Sequence, residues 1–211
     1  MNFKTKEAVE VFDNWAKTDK DEGMKKNHFP AFQEIKKIIK EHYQGSPKNK
    51  LADIGCGNGW ATENLEKENY ITQAHGYDGS PNMIKKAQKK HPYIVFSQAD
   101  LNCWTPNQKF DIIYSMEVIY YLNNPERFIK ECYEKWLNPG GMFIAGIDHY
   151  DENKESLIWP SDLGVEMQTK TTKQWKNILE KNQVIQCKTK HFNASKNWKG
   201  TLIMWGIKSV L

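Results

Sequence analysis

Leu51-Ala52-Asp53-Ile54-Gly55-Cys56-Gly57-Asn58-Gly59 joins a short apolar run to three glycines spaced G-x-G-x-G, and its reading decides the fold. Leu51 to Ile54 has the length and composition of a buried strand. Glycines directly after a strand permit tight backbone angles and let N–H groups come close to a ligand at the start of the next helix. Asp78 closes the following strand, nineteen positions after Gly59. In doubly wound α/β folds an acid at that place bonds the two hydroxyls of a ribose. The ligand is narrowed by position 60. A dinucleotide fingerprint, G-x-G-x-x-G/A, needs a small residue there for close helix–strand packing, and this chain has Trp60. A dinucleotide such as NAD is therefore disfavoured.

Outward from this turn the chain alternates between strand and helix. Toward the N-terminus, residues 1–48 read as mostly helical. Phe29, Phe32, Ile35, Ile38 and Ile39 are spaced to bury one face, and Gln44-Gly45-Ser46-Pro47 ends the segment. Toward the C-terminus, helices are predicted over 61–67 and 81–90, with Pro81 suited to a first helical turn. Strands are predicted over 74–78, 93–96, 110–115 and 142–147, and a helix over 124–136 leads into the turn Asn138-Pro139-Gly140-Gly141. This alternation predicts right-handed parallel β-α-β units. After Ile147 a polar stretch with Trp159-Pro160 leads to a helix over 172–181 and strands over 184–192 and 201–209. The last two lack a helix between them, so they are expected to be antiparallel neighbours.

Length and composition limit the classes of function. A chain of 211 residues, 39% apolar and 27% charged, suits one domain with a sizeable core and not a disordered chain. No apolar run is long enough for a bilayer, and Met1-Asn2-Phe3-Lys4 continues into charged residues rather than a signal sequence. A cytoplasmic protein is expected. Cys56, Cys103, Cys132 and Cys187 are scattered without a C-x-x-C pair, so no metal site is predicted and free thiols are expected. The net charge of +4 comes from lysines spread along the chain, which is no nucleic-acid footprint.

Further along, the motifs resemble, in order, those of the class I S-adenosylmethionine-dependent methyltransferases. Leu51 to Gly59 looks like the first motif, and Asp78-Gly79-Ser80-Pro81-Asn82-Met83 resembles the ribose-binding acid and its turn. Ala99-Asp100-Leu101 resembles the adenine-binding element. Phe110 to Val118 resembles the fourth-strand motif, and Leu137-Asn138-Pro139-Gly140-Gly141 the turn before the fifth strand. The resemblance covers about residues 48–147. It implies a Rossmann-like, doubly wound α/β fold with a seven-stranded sheet, mostly parallel with an antiparallel C-terminal strand, and an N-terminal helical lid. The expected organisation is one domain, 1–211: lid 1–47, cofactor core 48–147, substrate insert 148–171, and C-terminal helix and strand pair 172–211. The implied cofactor is S-adenosylmethionine. Gly55, Cys56, Gly57 and Gly59 would meet its amino-acid part, with Asp53 holding the amino group and the loop. Asp78 would bind the ribose, with Gly79 and Ser80 in the turn beside it. Met83 would flank the adenine, Asp100 would accept from its amino group, and Leu101 would offer a backbone N–H. Met116 would line the sulfur, and Trp15 would reach the cofactor from the lid.

Methyl transfer from a sulfonium needs alignment and a dry pocket more than covalent help, so no loud catalytic residue is required. The candidates are Glu117 and Tyr121 after the fourth strand, His28 in the lid and His149 at the start of the insert. Many relatives of this type carry a histidine shortly after the fourth-strand motif; this chain has Tyr120-Tyr121 there. Aromatics in both flanking segments predict a partly apolar small-molecule acceptor, bound by a monomer or homodimer without membrane or nucleic-acid partners. The alternatives are an RNA or protein methyltransferase and a non-catalytic cofactor-binding domain. Ser115-Met116-Glu117-Val118 lacks the Asn/Asp-Pro-Pro-Tyr/Phe motif of base-methylating enzymes, and no cysteine there offers a nucleophile for C5 methylation.

Overall fold

The structure, a computed structural model, describes residues 6–43, 45, 49–182 and 184–210. The N-terminal Met1-Asn2-Phe3-Lys4 and, within the helix-ending break, Gln44, Ser46 and Pro47 lie outside the described residues. The elements run α1 (Ala8–Lys17), α2 (Met24–Tyr43), β1 (Asn49–Ile54), α3 (Trp60–Glu66), β2 (Ile71–Asp78), α4 (Pro81–Lys90), β3 (Val95–Gln98) and β4 (Phe110–Met116). They continue with α5 (Pro125–Glu131), β5 (Leu137–Ile147), α6 (Trp159–Leu163), α7 (Thr172–Glu180), β6 (Val184–Phe192) and β7 (Thr201–Lys208). One seven-stranded sheet has the order β3-β2-β1-β4-β5-β7-β6. The first five strands are parallel, and β7 slots antiparallel between β5 and β6. The strand order reverses between β1 and β4, which opens a crevice beyond their carboxyl ends.

Successive side chains on a strand point to opposite faces, so neighbours in sequence feed different cores. Leu51, Ile112 and Met142 pack with Phe32, Ile35 and Ile39 of α2 and Leu65 of α3. Ala52, Ile113 and Phe143 pack on the other face with Phe128 and Ile129 of α5 and Trp175 of α7. α2 buries Phe32, Ile35, Ile38 and Ile39 at helical spacing as expected, but Phe29 stays 36% exposed at the rim. There it leans toward Trp60, whose indole packs edge-on against Phe32 at 4.9 Å. Trp60 therefore fills the groove between α2 and α3.

Several boundaries differ from expectation, and β2, expected over 74–78, already begins at Ile71. β3 starts at Val95 because Tyr93 is 83% exposed in the turn before it. The helix predicted over 124–136 is α-helical only to Glu131, and a π-turn over Cys132–Trp136 then buries both Tyr133 and Trp136. β5 begins at Leu137, opposite Phe110, and a register shift on β4 absorbs the turn at 138–141.

Candidate active site

The turn after β1 is built for close approach. Gly55, Gly57 and Gly59 all have positive φ, between 53° and 83°. A Cβ on Gly55 would collide with Val118, whereas on Gly57 it would meet only the Met24 methyl at 3.7 Å. Beneath the turn, Asp53 is buried and its Oδ2 accepts from the Thr62 hydroxyl at 2.6 Å. Burial pushes its pKa up to about 7, against the Thr62 hydrogen bond. Asp78 ends β2 and ties two turns together: Oδ2 accepts from Gly57 N at 2.9 Å and Oδ1 from Ser80 N at 2.8 Å. Its pKa is raised, mainly by burial.

These groups border a cleft at the carboxyl edge with about 970 Å³ of free space, the solvent at its mouth included. Gly55, Gly57, Asp78, Gly79, Met83, Asp100, Leu101 and Met116 line it, and so do His28, Glu117 and Tyr121. Asp100 holds its own turn, Oδ1 accepting from Asn102 N at 3.0 Å. The remaining expected residues stand behind the wall. Asp53 and Cys56 are buried under the loop, and Gly59 caps α3. Ser80 caps α4, its Oγ accepting from Met83 N at 3.1 Å. Trp15 is half-buried behind Phe12, edge-on at 5.1 Å, with the Lys20 ammonium over its ring. Phe12 lines the cleft instead and meets Tyr121 at 5.3 Å. His149 faces the insert: its ring nitrogens pair with Ser156 O at 3.0 Å and Thr169 Oγ1 at 2.8 Å.

α1 roofs the cleft through Ala8, Val9 and Phe12. It is fastened to α4 and to the glycine turn. Asp13 Oδ1 accepts from the Ser80 hydroxyl at 2.8 Å and Asn82 N at 3.0 Å. In the turn after α1, Asp21 is fully buried; Lys86 reaches it at 2.7 Å, and Asn58 of the glycine turn donates to it at 2.7 Å.

At the inner end of the cleft three groups meet that sequence spacing hid. Glu117 adopts φ 58°, in the left-handed region that side-chain-bearing residues avoid. Its Oε2 accepts from the Tyr120 hydroxyl at 2.8 Å, while Oε1 is buried without a partner. Asp148, the first residue beyond β5, has its Oδ1 in the same condition. His28 Nδ1 lies 3.7 Å from Asp148 Oδ2, and the ligating atoms of all three residues lie within 4.8 Å of one another. Burial drives Glu117 well above the usual carboxylate range, with Asp148 adding to it. Burial also raises Asp148, against a hydrogen bond from Thr201 and the charge of His28, and lowers His28, against the charge of Asp148. Asp148 carried a signal in its place at a strand's carboxyl end; nothing in the sequence announced that Tyr120 would support Glu117.

A family model described as a methyltransferase domain matches residues 52–145. A trans-aconitate 2-methyltransferase of Azoarcus is 29% identical over 109 residues, 51% of this chain and 43% of that protein. A ubiquinone biosynthesis O-methyltransferase of Glaesserella parasuis is 24% identical over 205 residues, 92% of this chain and 86% of that one. Among solved structures, an S-adenosylmethionine dependent methyltransferase from Mesorhizobium loti superposes with a TM-score of 0.68. The two share 18% identity over 86% of this chain and 97% of that one. The fold is that of the class I methyltransferases. Residues 52–145 carry a methyltransferase domain, of the S-adenosylmethionine-dependent kind. No helix among the described residues is long and apolar enough to cross a membrane.

The residues present suit the cofactor. Gly57 has only the Met24 methyl near where a side chain would stand, the Asp78 and Glu117 carboxyl groups line the cleft, and Glu117 Oε1 is unpartnered; these are features a cationic nucleoside requires.

Proposed function

We propose that the protein transfers a methyl group to an O, N or C atom of a small-molecule acceptor by in-line displacement. When bound, S-adenosylmethionine supplies an electrophilic methyl on a sulfonium. Asp78 holds its ribose, the Gly55–Gly59 backbone its amino-acid end, and Met83, Asp100 and Leu101 its base. Asp53, Cys56, Ser80 and Gly59 act from behind, keeping the loop and α4 in shape. Phe12 and Trp15 close the roof and exclude water, which strengthens every electrostatic contact beneath. Glu117, Tyr121 and His28 face the reacting end. His149 supports the acceptor side through the insert.

The observation that carries this reading is the bond from Gly57 N to Asp78 Oδ2, which joins the glycine turn and the ribose acid into one cradle. We read 1–211 as a single domain, and the protein as cytoplasmic. Four free cysteines, one of them exposed, support that setting. Calorimetric titration of S-adenosylmethionine and S-adenosylhomocysteine tests the reading. Micromolar binding to the wild type, lost in Asp78→Ala, is the expected result. A folded protein that binds neither would overturn it.

A further inference from the structure

A second chamber opens on the far side of the Glu117–Asp148–His28 cluster. It encloses about 680 Å³, mouth included, and is lined by His28, Asp148, Trp159, Asn193, Trp198 and Thr201 among others. His28 lines both this chamber and the cofactor cleft. Glu117 borders the cleft and Asp148 the chamber, so the cluster forms the partition through which a methyl group would pass. The two indoles stand 6.2 Å apart, tilted by 31°.

The chemistry of this partition is selective. Two carboxyl groups meet there, each with one buried oxygen lacking a partner, Glu117 Oε1 and Asp148 Oδ1. An unpaired buried acceptor is destabilising, more so if charged, so the pair is built to receive donors. Among the described residues, those that line the chamber include no lysine or arginine. A carboxylate or phosphate acceptor would meet two acids and no counter-charge. A cation would meet two acids and two aromatic faces, the surroundings that favour an organic ammonium. The 3.7 Å from His28 Nδ1 to Asp148 Oδ2 is too long for a hydrogen bond, which leaves the imidazole nitrogen uncommitted.

We propose that the second chamber takes a small primary or secondary amine with an apolar substituent, and that Glu117 and Asp148 hold its nitrogen at the partition while His28 accepts its proton. The proposal rests on the methyltransferase reading above and names that site's substrate class. Burial holds His28 toward its neutral form and raises both acids, and a cation beside the two carboxyl groups favours their charged forms. The ammonium N–H bond breaks and its proton goes to the His28 imidazole. The nitrogen lone pair then forms the N–CH₃ bond as the C–S bond of the donor sulfonium breaks, the electron pair remaining on sulfur. The products are an N-methylated ammonium and a neutral thioether, and the imidazolium proton passes to solvent. A divalent cation is the competing occupant of these three groups. The amine is favoured because two indole faces, Trp159 and Trp198, stand beyond them, and an aromatic face attracts an organic cation without ligating a metal.

The test uses the full chain and a set of primary and secondary amines from butylamine to tryptamine, each matched with the alcohol and the carboxylic acid of the same skeleton. Transfer of a radiolabelled methyl is measured, together with calorimetric binding in saturating S-adenosylhomocysteine. At least one amine should bind and be methylated while its matched alcohol and acid are not. In Asp148→Asn, amine binding should fall about 10–100-fold, the scale of one charge-assisted hydrogen bond. S-adenosylhomocysteine affinity should be kept, since Asp148 lies outside the cofactor cleft. Preference for an alcohol or acid would overturn the proposal. So would transfer that needs added Mg²⁺ or Mn²⁺ and is abolished by chelation, which would assign the cluster to a metal. Tight S-adenosylhomocysteine binding with no amine bound or methylated would overturn the amine while leaving the methyltransferase standing. Absence of S-adenosylhomocysteine binding would remove both.

Discussion

Glu117 shows most plainly what one residue contributes here. Its left-handed backbone turns the chain sharply after β4 and aims a carboxyl at the partition, a conformation that costs about 1–3 kcal/mol. Glu117→Gly should therefore raise the unfolding free energy by about 1 kcal/mol or more in urea titrations, while methyl transfer falls steeply. Asp78 has a different vulnerability. It would serve the turn and the ribose together, so Asp78→Ala should weaken S-adenosylhomocysteine binding by about 100-fold or more, at roughly 1.5–3 kcal/mol per charge-assisted bond. Asp53 should make stability depend on pH. Its folded pKa of about 7 lies above the ordinary aspartate value of about 3.9, so between them the folded state holds a proton that the unfolded chain has released. Stability is then greatest at the acid end of that window and falls as pH rises through 7. Asp53→Asn should remove roughly 2–3 kcal/mol of the loss between pH 5 and pH 8 in ligand-free protein, read from urea midpoints at both values. The places of Asp53, Asp78 and the glycines near the carboxyl ends of β1 and β2 were legible in the sequence from the strand and turn pattern, while their roles rested on the family resemblance. The convergence of residues 28, 117 and 148 was not, since it depends on how α2 crosses the sheet edge. His149 had the right position and faced the other way, a choice made by the Ser156 and Thr169 hydrogen bonds.

Among the elements, α1 depends most on its neighbours. It roofs the cleft with few buried residues of its own, Ala16 alone being fully enclosed. What holds it is the set of bonds from Asp13, Asp19, Asp21 and Glu22 to Ser80, Asn82, Lys86 and Lys90 on α4 and its cap. Lys86→Met leaves the buried Asp21 without its ion partner. Removing one member of a fully buried pair costs about 3–5 kcal/mol; with Lys86 21% exposed, about 2 kcal/mol is the expected loss. It should appear as faster amide hydrogen exchange over residues 8–23, with the sheet strands unchanged. Uniform acceleration across the chain would show that the contact serves the whole fold instead. The elements themselves were largely readable: α4, β6 and the glycine turn fell where periodicity and Pro81 put them. The π-turn at 132–136 and the early start of β5 were not, because local propensity says nothing of the sheet register that Leu137 must satisfy.

At the scale of the whole molecule, the sheet is a rigid platform, and the ligand contacts come from loops along one edge. A ligand that binds only the folded form should stabilise it by about 2.7 kcal/mol at 100 times its dissociation constant. For a chain of this length that corresponds to a rise of roughly 5–10 °C in melting temperature with S-adenosylhomocysteine, absent in Asp78→Ala. The roof over the cleft is fastened chiefly by charge rather than by apolar burial, and dissolved salt weakens charge at such distances. Ionic strength should consequently govern residence time: the spent nucleoside leaves faster in concentrated salt, and where its departure limits turnover, the enzyme quickens before it weakens.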